Sequence, residues 1–200
     1  AAEAVECRDR LVWPFSSKSV WNMPLGSGAK FVPANIYREP YSPPRNFYVD
    51  QDWFISTTEN DPGTALVDQG WWGEPTGDAH CDIKGPNAGF LPFPQNLTAR
   101  YFGGNNAAAI LLPDNVTLVQ AQPLYRCSPD SPVLALWSQR SNCSILDDGT
   151  WGSHGGSALS AIGGTIRLGE LLPGAPPIRH ALKLMLYAAD YYWPGNETVP

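Results

Sequence analysis

Proline and glycine recur from one end of this chain to the other, 20 Pro and 19 Gly in 200 residues, and this punctuation limits what the chain can fold into. Proline removes a backbone donor and glycine weakens helix and strand interiors, so regular segments must be short and separated by turns. A hydrophobic fraction of 43%, with eight Trp, eight Tyr and seven Phe, is enough to fill a core and argues against disorder throughout. The expected class is mainly β, an antiparallel β-sandwich or jelly-roll-like domain with short C-terminal helices.

Local patterns refine this expectation. From Leu11 to about Val49, apolar residues alternate with Pro and Gly, as in Val12-Trp13-Pro14-Phe15, which suits short strands between turns. Trp53 to Thr58 and Thr64 to Val67 read as strands split by the turn Asn60-Asp61-Pro62-Gly63, and Gly85 to Gln95 reads as a loop. Leu97 to Phe102, Val116 to Gln120 and Val133 to Ser138 read as strands, while Ala107 to Leu112 is a buried run whose type periodicity does not settle. Toward the C-terminus, Ser157 to Ile162 and Thr165 to Leu172 read as short helical turns. After Pro176-Pro177, a helix is expected over Ile178 to Ala189, with Ile178, Leu182, Met185, Leu186 and Ala189 on one face. The expected organisation is an N-terminal extension over 1–14, one globular domain over 15–194 and a tail or linker over 195–200.

Charge removes some partners from consideration. The formal net charge is −6, and the 13 basic residues are scattered, so nothing favours nucleic acid or an anionic membrane surface. No stretch approaches 18 apolar residues, so no membrane span is expected. The opening Ala1-Ala2-Glu3-Ala4 reads as the small-residue side of a processed leader.

Cys7, Cys81, Cys127 and Cys143 show no C-x-x-C spacing, so disulfides are expected rather than zinc. Of three connectivities, the favoured one closes a local loop with Cys127–Cys143 and clamps the N-terminal segment with Cys7–Cys81. N-x-[ST] occurs at Asn96, Asn115, Asn142 and Asn196, where chance would give about one. Asn96 and Asn115 rank first; Asn142 precedes a cysteine expected to be bridged, and Asn196 lies near the chain end. Together these features predict a secreted, extracellular glycoprotein carrying covalent glycans.

Signals for chemistry are thin. The glycine-rich Gly152 to Gly164 lacks the P-loop lysine, and its glycines are expected to permit close packing or positive φ. His154, with Asp147, Asp148, Ser157 and Glu170, sketches an acid/base set, but no G-x-S-x-G elbow marks a nucleophile. His80 adjoins Cys81 in an expected loop, and His180 falls in the expected helix. Arg167 and Glu170 are spaced to pair structurally. Asp78, Asp82, Asp147 and Asp148 match no EF-hand spacing, and no metal or cofactor is assigned. Trp71, Trp72 and Trp151 are the candidates for stacking on sugars if exposed, and core if buried.

Two stretches carry a resemblance: Phe15-Ser16-Ser17-Lys18-Ser19-Val20-Trp21-Asn22-Met23-Pro24-Leu25, and Gly152 to Leu171 with its His154-Gly155-Gly156-Ser157 and Gly163-Gly164-Thr165-Ile166-Arg167 core, continuing into Ile178-Arg179-His180-Ala181-Leu182. They resemble a family of secreted β-rich domains, some of them subunits of glycan-coated extracellular fibrils. Both ends of the chain are covered and the middle is not. The resemblance implies an extracellular location and a structural role, and it carries no catalytic residue. The expected function is a structural extracellular glycoprotein that assembles with copies of itself. The expected contact adds the N-terminal segment or the tail to a neighbour's sheet edge. A secreted polysaccharide lyase, a glycoside hydrolase and a carbohydrate-binding lectin are the alternatives.

Overall fold

The computed structural model describes residues 9–24, 26–33, 52–68, 77–100, 105–139, 144–154 and 157–184. Among these residues seven strands follow in chain order: β1 (Trp53–Ser56), β2 (Gly63–Asp68), β3 (Asn87–Pro92), β4 (Ala108–Leu111), β5 (Leu118–Tyr125), β6 (Val133–Gln139) and β7 (Trp151–His154). The first six form one sheet in the order β1-β4-β5-β6-β2-β3. The protein is therefore mainly β, as its Pro/Gly punctuation predicts.

The sheet is mixed where an antiparallel one was expected. β4–β5, β5–β6 and β2–β3 pair antiparallel, whereas β1–β4 and β2–β6 pair parallel. Strands β4 and β5 are buried along their whole length, which explains why their sequences run apolar instead of alternating. Side chains one apart then serve two cores. Ala108, Ile110, Val119 and Ala121 join a cluster with Ile55, Leu66, Leu91, Phe93 and Val133, so all six strands contribute to it. Ala107, Ala109, Leu111 and Leu118 face a second cluster with Phe15, Trp21, Ile145, Ala161 and Ile162. This second face is covered by the N-terminal segment and by the chain after β6.

Several expectations change. Asn87–Pro92, expected as loop, is strand β3, paired with β2 across a register shift at Leu66/Val67. Leu97 to Phe102 contributes, among its described residues, only the bridge Ala99↔Arg126. The described N-terminal residues form turns and no strand.

Among the described residues the expected C-terminal helices are not seen. Leu159 bridges Trp151 and His154, so Ser157 to Ile162 is the return arm of a small hairpin, and Thr165 to Leu172 is a series of turns. Residues 178–184 are irregular, and the rest of the expected helix lies outside the described residues. The physical reason is that long-range partners take the groups a helix needs. Lys183 N–H donates to the Gly164 carbonyl at 2.8 Å, and Lys183 Nζ donates to Ser160 O at 2.8 Å. Among the described residues the helical element is a 3-10 helix, Gly77–Asp82.

Candidate functional site

The two stretches that carry the resemblance dock against each other. Trp21 Nε1 donates to Gly149 O at 2.7 Å, and its ring covers Gly163 and Gly164 so closely that a Cβ on either would overlap the indole. Gly164 also sits at φ +69°, a conformation open to glycine. Asn22 Nδ2 donates to Pro14 O (2.7 Å) and Ser16 O (2.9 Å), while its Oδ1 accepts from Arg167 Nη2 at 2.7 Å. The Arg167 guanidinium lies over the Trp13 ring, 4.4 Å from its centroid. The glycines thus do what was expected of them, and the motif residues hold the fold. Residues 9–14 share in this, since Arg10 Nη1 also donates to Asn115 O at 3.0 Å.

The acid/base set sketched around His154 is not assembled as drawn. His154 is 1% exposed, and its Nε2 lies 3.5 Å from Asp52 Oδ1, a partner outside the sketched set. Asp52 Oδ2 is 3.4 Å from Lys183 Nζ, which also bonds Ser160 O and Ala161 O. Asp52 and Lys183 were not singled out by sequence, because nothing local to either marks it. The group is a buried tie between β1's start, β7 and the C-terminal segment.

Glu170 serves elsewhere. It accepts from Arg167 N–H at 2.7 Å and binds His180 Nε2 at 2.9 Å. Burial opposes its charge, but the Arg167 N–H, the His180 hydrogen bond and the coulombic pull of His180 and Arg167 hold the carboxyl below its usual range. His80, in the 3-10 helix, is buried and stacked on Tyr125 at 4.1 Å, and desolvation pushes its pKa down. Among the described residues no group of three or more His, Cys, Asp or Glu could hold a metal ion.

The surface feature with binding geometry lies at the start of β7. Trp151 is 73% exposed and so is not a core residue; Trp71 and Trp72 lie outside the described residues. Beside Trp151 is a cavity of about 290 Å³ lined by Phe15, Gln120, Ser144, Asp147, Asp148 and Gly149. Gln120 fastens the hairpin to β5: Nε2 donates to Trp151 O (3.1 Å), Oε1 accepts from Ala161 N–H (2.7 Å), and Gln120 O accepts from Ser153 Oγ (2.9 Å). The Asp147–Asp148 backbone is also tied. Asp147 O accepts from Ser16 N–H at 2.9 Å, and Asp148 O from the Ser19 hydroxyl. Hydrogen bonds from Thr150 N–H and Oγ1 hold the Asp148 carboxyl below its usual range.

Asn96 and Asn115 are exposed in turns, where a glycan could stand clear of the core. The Asn115 turn closes the β4–β5 hairpin with φ +56°, a conformation asparagine tolerates, and Asp114 accepts from Val116 N–H, Thr117 N–H and the Thr117 hydroxyl. The Asn96 turn is held from below by Arg126, whose Nη1 donates to Pro94 O (2.6 Å) and Leu97 O (3.2 Å). Asn142 and Asn196 lie outside the described residues.

Cys81 and Cys127 are bridged, with Cα atoms 5.8 Å apart, so the favoured pairing of each with another partner is corrected. The stacking of His80 on Tyr125 brings the 3-10 helix to the end of β5, two residues before Cys127, and sets Cys81 beside it. Cys7 and Cys143 lie outside the described residues.

Compared with protein-family models, with curated proteins and with solved structures, the chain matches none. Among the described residues no helix is long and apolar enough to cross a membrane.

Proposed function

We propose that this chain is a secreted structural glycoprotein whose copies associate into an extracellular fibril or matrix. The observation that carries the association is an exposed apolar run: Leu168, Leu171 and Leu172 are 88%, 73% and 66% exposed within five residues. They stand in turns held by Glu170 N–H to Arg167 O and Leu172 N–H to Gly169 O. Clustered exposed leucines mark a surface that another protein surface covers. The exposed turns at Asn96 and Asn115 support the glycoprotein part, and the Cys81–Cys127 bridge supports an oxidising compartment. The lyase or glycoside hydrolase alternative needs a groove lined by Trp71, Trp72 or Trp151 with a carboxylate or histidine within reach of a bound sugar; the burial of His154 beside Asp52 and Lys183 counts against its histidine version.

Sedimentation of the native chain over a concentration series tests this, beside the double variant Leu168→Asp, Leu171→Asp. The native chain is expected to grow in size with concentration while the variant, with unchanged far-UV circular dichroism, stays monomeric. A native chain that remains monomeric at every concentration would contradict the proposal, as would a variant that assembles like the native chain.

A further inference from the structure

The Trp151 indole adds nothing to either core, yet its surroundings are rigid. Its strand is laced to β5 by Gln120, and the 147–148 turn is pinned to the N-terminal segment by Ser16 and Ser19. An isolated exposed tryptophan needs no explanation, but one that forms the wall of a fixed cavity does. The lining offers the exposed Trp151 ring as a flat apolar plane and carboxylate acceptors in Asp147 and Asp148, with no basic side chain among the described residues. The Asp147 carboxylate has no hydrogen bond or ion pair among the described residues. Asp148 spends Oδ1 on Thr150 and keeps Oδ2 as an acceptor.

A matching ligand presents a flat C–H face, several hydroxyl donors and no negative charge. The volume, about 290 Å³, sits at the lower end of ligand cavities, roughly 300–1,000 Å³, and suits one ring rather than a chain. The geometry points to a subsite for a single neutral pyranose unit, stacked on Trp151 with its hydroxyls donating to Asp147 and Asp148. A terminal sugar of a neighbour's N-glycan and a residue of a free neutral polysaccharide share this chemistry. No residue of the leucine run is among those that line the subsite, and it does not depend on glycans at Asn96 or Asn115.

Saturation-transfer NMR on the deglycosylated chain tests it with methyl β-glucopyranoside, methyl α-mannopyranoside and methyl β-galactopyranoside, and with glucuronic acid and choline as charged probes. At least one neutral glycoside is expected to receive saturation. Trp151→Ala, exposed enough to keep the thermal midpoint unchanged, should weaken its binding about tenfold or more. Asp147→Asn with Asp148→Asn should weaken it as well, and glucuronic acid should not bind. Retardation by released N-glycans or by a soluble neutral mannan or β-glucan in affinity electrophoresis then identifies the source. The inference is overturned if no neutral glycoside binds, if Trp151→Ala binds as well as the native chain, or if choline binds in the sugars' place.

Discussion

Arg126 is 2% exposed, yet it is a cation whose described hydrogen bonds all end on backbone carbonyls. Its guanidinium reaches Pro94 O and Leu97 O on one side and Pro129 O (2.6 Å) and Ser131 O (3.3 Å) on the other, 5.0 Å from the Phe93 ring centroid. Desolvation lowers its pKa, against the pull of Asp130, but a guanidinium stays charged at any working pH. Burying a charge this way is stable only while every donor has an acceptor. Arg126→Leu strands four carbonyls and is expected to cost about 3–5 kcal/mol in urea unfolding, with Arg126→Lys recovering part of it. A loss under about 1 kcal/mol would show that the Asn96 turn stands without it. Sequence could not single out Arg126, one of 13 scattered basic residues, and Asp52 was silent for the same reason. Their roles come from what the fold brings beside them. Trp151 was legible as a residue with two readings, and its exposure removes the core reading.

Elements with branched or aromatic residues between turn signals were legible: β1, β2, β5 and β6 fall on or beside runs that read as strands. β3 was not, because Asn87-Ala88-Gly89-Phe90-Leu91-Pro92 carries glycine and proline. Gly89 sits at φ 124°, and β3 is an outermost strand of the described sheet, where both residue types are tolerated. The apolar spacing after Pro177 reads as helix. Over residues 178–184 it loses to tertiary ties, the Lys183 bonds to Gly164, Ser160 and Ala161 and the His180–Glu170 contact. The docking of the Trp21 segment on Gly163-Gly164 is the element-level contact most exposed to mutation. Gly163→Ala drives a methyl into the indole and should cost about 1–3 kcal/mol by chemical denaturation. Gly26→Ala, with open space around it, should stay within about 0.5 kcal/mol. Equal losses at both positions would contradict the docking.

Across the described residues, one mixed sheet presents two apolar faces, and the Phe15–Trp21 and Ala161–Ile162 segments cover the second of them. The class was readable from punctuation and core-forming residues. The parallel pairings were not, because they depend on long crossovers that leave no local trace. Disulfide connectivity was equally out of reach, since spacing favours short loops while the fold joins cysteines 46 residues apart. In the chain-entropy model a bridge over that span stabilises by about 4 kcal/mol. With Cys81 and Cys127 joined, the two remaining cysteines, Cys7 and Cys143, have only each other within the chain.

The most direct measurement is peptide mapping by mass spectrometry of the native material, without reduction and before and after enzymatic release of N-glycans. The expected map shows glycan on Asn96 and Asn115, a Cys81–Cys127 linked peptide, and a second linked peptide joining Cys7 to Cys143. Unmodified asparagines at both sites together with four free thiols would contradict the claim that this chain is an oxidised, glycan-bearing extracellular building unit.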